Sequence, residues 1–304
     1  MPSLLRHRPH RENPRPIGFI LIALFTIGAF HDPAAARPLA PSPQLQLART
    51  IRTTPFAHTT VSMKDSEGSA YVPRDRSLWL SDDNGRRVYE VNPSTGTLKR
   101  YIGRHRFEHA RRFGGGSTAG TSRTLDMESI AYDRAHDILY VFSGPCCSST
   151  VKPTVFRLKR NAQGKLFVES YQPLASSANY TAAAWNAANG KIYVGHGRDL
   201  RTYNYATNTA GHAFSIPNLS GITGLSFTPD GATLYVTTYF ETLRRVRWST
   251  KRLVSGWTFD LRPFGIHDAR AVEFIGGRFY VSDGDDTRSN ADPRKYAVYV
   301  FNVR

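Results

Sequence analysis

A short phrase recurs five times along this chain, and that recurrence limits its fold more than any other feature. The first copy reads Glu67-Gly-Ser-Ala-Tyr71, then Ser77-Leu-Trp-Leu-Ser81, Arg87-Val-Tyr-Glu-Val91 and Thr97-Leu-Lys-Arg-Tyr101. The same order of parts returns at Glu128-Ser-Ile-Ala-Tyr132 with Ile138-Leu-Tyr-Val141, and at Thr181-Ala-Ala-Ala-Trp185 with Lys191-Ile-Tyr-Val194. It returns twice more, at Thr223-Gly-Leu-Ser-Phe227 with Thr233-Leu-Tyr-Val236 and at Arg270-Ala-Val-Glu-Phe274 with Arg278-Phe-Tyr-Val281. Starts spaced roughly 40–60 residues apart suit a four-stranded propeller blade and not a helical solenoid.

Within each copy, apolar and polar residues alternate over short runs, the signature of a half-buried strand. Turn residues separate the runs at Pro73-Arg-Asp75, Asn189-Gly190, Pro229-Asp-Gly231 and Gly276-Gly277. No stretch shows a helical period, and the Arg-rich segment Arg104 to Thr124 reads as a loop. The expected fold is therefore all-β, a five-bladed β-propeller, with six blades the alternative if that Arg-rich segment hides further strands. The last repeat runs out of chain after three strands. The alternating segment Leu45 to Arg52, whose apolar face of Leu45, Leu47 and Ile51 is interrupted by Arg49, can supply the fourth and close the ring, which removes an exposed sheet edge.

Residues 1–36 stand apart from this pattern. Arg6, Arg8, Arg11 and Arg15 precede an apolar run from Ile17 to Phe30, and Ala34-Ala-Ala36 follows. That order reads as a secretory signal peptide cleaved after Ala36, because the run is short for a roughly 20-residue membrane span. Residues 37–44 read as a linker and 45–304 as the propeller. A secreted or periplasmic location follows, with no stable membrane span after processing. The formal net charge is +16, and residues 1–36 carry four Arg against Glu12 and Asp32, so about +14 remains beyond them. Such a charge favours an anionic small molecule, wall polymer or envelope protein as partner. Helix-turn-helix, RNA-recognition and zinc-ligand patterns are missing, which argues against nucleic acid. A monomer is expected. Cys146 and Cys147 are adjacent, and three states stay open for them: a vicinal disulfide, two thiols, or a link to another chain.

The first strand of a propeller blade lines the central channel, so equivalent positions of the repeats meet there. The phrases open on Glu67, Glu128, Thr181, Thr223 and Arg270, and Asp82, Ser143, His196, Thr238 and Asp283 follow the second strands. One channel mouth should then gather Glu67, Glu128, Asp82 and Asp283, a set of hard oxygen donors able to hold Ca2+. Arg270, His196, Thr181 and Thr223 would stand nearby to bind an organic or anionic ligand. A polar network that merely pairs Arg270 with Glu67 or Glu128 is the competing reading. The acidic run Asp283-Gly-Asp-Asp286 reads as a solvated turn, and the four Trp as packing between blades. Neither a Gly-x-Ser-x-Gly elbow nor a Gly-rich phosphate loop is present.

The phrases resemble those of gluconolactonase and NHL-type propellers, through Glu67 to Gly96 and Gly224-Leu-Ser-Phe-Thr-Pro-Asp-Gly231. Asp126-Met-Glu-Ser-Ile-Ala-Tyr132 is similar to the SdiA-regulated and phytase-like propellers, whose blades open on an acidic phrase of this kind. The first resemblance implies a divalent metal held by a Glu, an Asn and an Asp. Glu67 matches that Glu, while Thr223 and Arg270 stand where the other two would be, which argues against lactonase chemistry. The expected function is an exported binding protein without an intact catalytic set. The alternative is a calcium-assisted hydrolase of phosphate or carboxylic esters.

Overall fold

In the computed structural model the described residues are 43–113, 126–144, 153–174, 179–285 and 287–304. The proposed signal peptide, Cys146, Cys147 and Asp286 lie outside them. Five antiparallel sheets form a closed ring. Blade one runs outward from the channel as Ser66–Val72, Ser77–Asp82, Arg87–Val91 and Leu98–Ile102. Blade two follows as Asp126–Asp133, Ile138–Gly144, Thr154–Arg160 and Leu166–Pro173. Blade three has Ala182–Asn186, Lys191–His196 and Asp199–Asn204, with its outer edge split between Thr209–Ala210 and Phe214–Ser215. Blade four is Ile222–Phe227, Thr233–Thr238, Thr242–Arg247 and Arg252–Asp260.

The fifth blade closes as the repeat order predicts. Ala269–Ile275, Arg278–Asp283 and Val298–Val303 come from the end of the chain, and Leu45–Ile51 pairs antiparallel with Val298–Val303 as the outer strand. The imperfect apolar face of that strand has a local cause. Its register shifts between Leu47 and Arg49, and such a bulge resets which face the following residues meet. Ile51 is buried while Leu47 is exposed.

Apolar side chains pack between adjacent blades. Trp79 is fully buried in the cluster between blades one and two, and Trp257 packs with Tyr235 and Phe279 between blades four and five. Each large side chain buried in this way contributes about 1.5–3 kcal/mol. Trp248 lies one residue beyond the strand Thr242–Arg247, and it too is buried, edge-on to Tyr193 and Phe227. The loop expected after Gly103 is partly helical, since Arg104–Phe113 forms an α-helix. The segment is mostly basic and polar, so its sequence carries little apolar period. Phe107 alone supplies a fully buried anchor in its first turn, against Phe156 at 5.0 Å between ring centroids. An Arg104–Glu108 pair one turn apart supports it. Among the described residues no helix is long and apolar enough to cross a membrane.

Candidate functional site

The innermost strands carry an irregularity in four of the five blades, and it falls at the same place each time. Register shifts lie between Ser66 and Ser69, Met127 and Ser129, Ile222 and Gly224, and Ala269 and Val272. These bulges bracket Glu67, Glu128, Thr223 and Arg270. A bulge leaves residues unpaired and re-aims their side chains, which is why bulges gather beside functional sites. Immediately inward, Gly68, Ser129, Ala182, Gly224 and Ala271 pinch the channel to a cavity of about 10 Å³. The throat therefore divides two unlike mouths.

Glu67 and Glu128 meet at the first mouth. They are 5% and 7% exposed, and burial is the main force raising both acids, Glu128 to about 8. Arg270 opposes this, with Nη1 3.2 Å from Glu67 and Nη2 2.7 Å from Asp268. Asp65, Asp83 and Asp126 join the two glutamates, and none of the three was expected. Asp83 and Asp126 share a hydrogen bond between their carboxyl groups, and burial with that neighbour lifts Asp83 to about 10. One of the pair must then carry a proton at neutral pH. A sequence signal for two of them existed: Asp65-Ser-Glu67 and Asp126-Met-Glu128 repeat one phrase, echoed by Asp268-Ala-Arg270.

Gly144 shapes the blade-two side of this mouth. A Cβ there would come within about 3 Å of Asn179 Oδ1, Glu128 Oε1 and Asp126 Oδ2, so three oxygens crowd around a position that only glycine leaves open. Asn179 Nδ2 donates to Glu128 Oε1 at 2.6 Å, while its buried Oδ1 has no hydrogen-bond partner among the described residues. An orphaned carbonyl oxygen among carboxylates is the donor chemistry of a hard cation. No group of three or more His, Cys, Asp or Glu is drawn into metal-ligand geometry among the described residues; here the cluster is held by protons and by Arg270.

The other expected residues serve the framework. Asp82 is fully buried, and its Oδ1 accepts from the N–H groups of Lys64, Asp65 and Gly85 while Oδ2 accepts from the Tyr89 hydroxyl. Asp283 does the same in blade five, accepting from the N–H groups of His267, Asp268 and Asp285 and pairing with Arg288 at 3.1 Å. Each is lifted to about 6 by burial, which those bonds partly offset. Their oxygens are engaged in strapping the chain into the ring. Thr181 and Thr223 donate their hydroxyls to the carbonyls of Ile222 and Ala269 in the next blade, at 3.0 and 2.6 Å. His196 is exposed at the end of its strand, opposite Asp199, and among the described residues no hydrogen bond or ion pair joins it to Glu67 or Glu128. The acidic run at Asp283 is no solvated turn, since Asp283 and Asp285 are buried around Arg288.

At the second mouth a cavity of about 60 Å³ is lined by Ala70, Ala131, Ala184, Ser226 and Glu273. Burial raises Glu273 to about 8 against bonds from the Tyr71 backbone and Ser226. One carboxyl in a cavity of this size can hold little more than water.

Fold and geometry together define a five-bladed β-propeller with an acidic mouth on a strongly basic chain. The chain matches no protein-family model and no curated protein. Among solved structures it is similar to a glutaminyl cyclase of Myxococcus xanthus, with a TM-score of 0.57 and 10% identity over 85% of this chain and 96% of that one. A luciferin-regenerating enzyme is also similar, with a TM-score of 0.49 and 12% identity over 86% of this chain and 95% of the other. At such identities the likeness is one of fold.

Proposed function

We propose that the acidic mouth binds a divalent cation, with Ca2+ the expected ion, and that the filled mouth takes an anionic ligand in an exported binding protein. One observation carries the reading: Asp65, Glu67, Asp83, Asp126 and Glu128 converge where Arg270 is the cation that opposes them. An anion would be repelled by the bare cluster, however basic the rest of the surface is. A hard cation would be welcomed, because it takes six to eight oxygen ligands. Asp126, Glu128 and the orphaned Asn179 Oδ1 would hold it beside Gly144, with Asp83 and Glu67 closing the set. When bound, such an ion supplies a positive anchor for phosphate or carboxylate and Lewis acidity toward their esters. Arg270 holds Glu67 in place and balances part of its charge.

A second reading, hydrolysis of phosphate or carboxylic esters, is favoured by the proton shared between Asp83 and Asp126. A carboxyl that keeps its proton at neutral pH is equipped to act as a general acid. The fold neighbour that is a glutaminyl cyclase is itself an enzyme, which supports keeping turnover in view without naming the reaction.

Calorimetric titration of chelator-treated protein with Ca2+ at pH 6 and pH 8 tests the first reading. One ion per chain, bound more tightly at pH 8 with release of protons, is expected. No binding heat and no rise in melting temperature at either pH would remove it. Turnover of p-nitrophenyl phosphate or acetate that needs Ca2+ and is lost in Glu128→Gln would establish the second.

A further inference from the structure

Among the described residues five large apolar side chains are exposed: Leu47, Tyr101, Phe167, Tyr239 and Phe240. Leu47 stands alone on the outer strand of blade five, while Tyr101 and Phe167 line one surface cavity along the outer strands of blades one and two. Tyr239 and Phe240 are adjacent, 44% and 59% exposed, in the hairpin turn between Thr233–Thr238 and Thr242–Arg247. Turns of this kind take Gly, Asn, Asp or Ser for conformational reasons. The equivalent turn of blade one obeys that rule with Asp83-Asn-Gly85. Two aromatic rings in its place expose apolar surface.

The turn is nevertheless firmly held. Phe240 N–H donates to Thr238 Oγ1 at 3.3 Å, Glu241 N–H to the Thr238 carbonyl at 3.0 Å, and the Thr238 and Thr242 hydroxyls bond at 2.8 Å. Gly221, at φ +66°, lies beneath, where a Cβ would stand 3.1 Å from Phe240 Cε2. The rings are thus set in position before anything binds, which lowers the ordering cost of using them. They also belong to the acidic mouth. The Arg270 guanidinium lies over the Tyr239 ring, 5.3 Å from its centroid, and the same side chain pairs with Glu67.

We propose that Tyr239 and Phe240 form the specificity lip of this mouth and receive a planar apolar group carried by the ligand. The proposal rests on the channel-mouth reading above and adds the shape of what is recognised: a polar head seated at the carboxylates, joined by a short link to an aryl or similarly flat apolar body. Head and body are then read by different elements, the head by blades one and two and the body by the blade-four turn. Binding would cover the ring surface that Arg270 and Gly221 leave exposed.

The test compares two probes with the same head, 1-naphthylmethylphosphonate and methylphosphonate, titrated into the protein in saturating Ca2+. The naphthyl compound should bind roughly tenfold or more tightly, as burial of part of two ring faces implies. Phe240→Ala should erase that preference while leaving Ca2+ affinity and melting temperature unchanged. Equal affinities in the unaltered protein overturn the lip, as does a preference that survives both Phe240→Ala and Tyr239→Ala. If the unaltered protein binds no Ca2+, the cation reading fails separately. Naphthylmethylamine against methylamine then decides for the lip, since bare carboxylates take an ammonium head directly. A naphthyl preference lost in Phe240→Ala supports the lip there too, and its absence overturns it.

Discussion

Replacing Asp83 by Asn should make the protein more stable and its cation site useless. Asp83 shares a hydrogen bond with Asp126 and is lifted from an ordinary 3.8 to about 10. At pH 7 the unfolded chain ionises this group and the folded chain does not. Holding the proton therefore costs at most about 4.5 kcal/mol, the 1.4 kcal/mol of each unit multiplied by the gap between 3.8 and 7. Water reaches part of the group and its neighbours can relax, so about half of that, ~2 kcal/mol, should be recovered in the variant. For a domain of about 260 residues this raises the melting temperature by roughly 4 °C. The Asn amide can still donate to Asp126, so the pair's hydrogen bond survives.

The sign with pH follows from the raised acid. Below pH 4 Asp83 is protonated whether the chain is folded or not, and variant and unaltered protein should melt together. Stability present there is lost progressively by the unaltered protein as pH rises from 4 toward about 10, because the unfolded state releases a proton that the folded state keeps. Thermal unfolding in chelator at pH 4, 6 and 8 should show the gap opening in favour of Asp83→Asn. Added Ca2+ should stabilise the unaltered protein and not the variant. A variant less stable at pH 8, or a gap that does not change with pH, would refute the shared-proton argument.

Arg270→Met removes the counter-charge of buried Glu67 and should cost about 2–3 kcal/mol at pH 8 and less at pH 4, where Glu67 is protonated; urea unfolding at the two pH values checks this. Thr223→Val removes the hydroxyl that joins blades four and five at the Ala269 carbonyl, and should cost about 1–2 kcal/mol in the same assay. Deleting residues 45–51 uncovers the strand Val298–Val303, so a broadened melt and early tryptic cleavage in blade five are expected; an unchanged, cooperative melt would show that the ring holds without its closing strand.

The blades were legible in the sequence because each one repeats the same alternation, so one weak pattern is read five times. The closing strand was legible for a related reason: the fifth repeat lacked a member, and the alternating segment Leu45 to Arg52, which forms the strand Leu45–Ile51, remained to supply it. The helix Arg104–Phe113 had no such support, since a single buried Phe107 gives its first turn no period to detect.

The site was half legible, and the bulges explain which half. Glu67, Glu128 and Arg270 do lie together, as expected of residues that open their repeats, because repeat position survives any local irregularity. Asp65 and Asp126 were missed because the side that a strand residue faces is inferred by counting in twos. That count fails across the register shifts at Ser66/Ser69 and Met127/Ser129. Asp83 was missed by a single residue. Asp82, the last residue of its strand, turns inward to strap Lys64 and Asp65, and its neighbour turns to the mouth. A one-residue displacement exchanges a structural carboxylate for a site carboxylate, and composition cannot tell the two apart. The distinction lies in what each oxygen touches: Asp82 and Asp283 meet backbone N–H groups that every folded copy must satisfy. Asp83, Asp126 and Glu128 meet one another, at a cost in stability, as the proposed cation site requires.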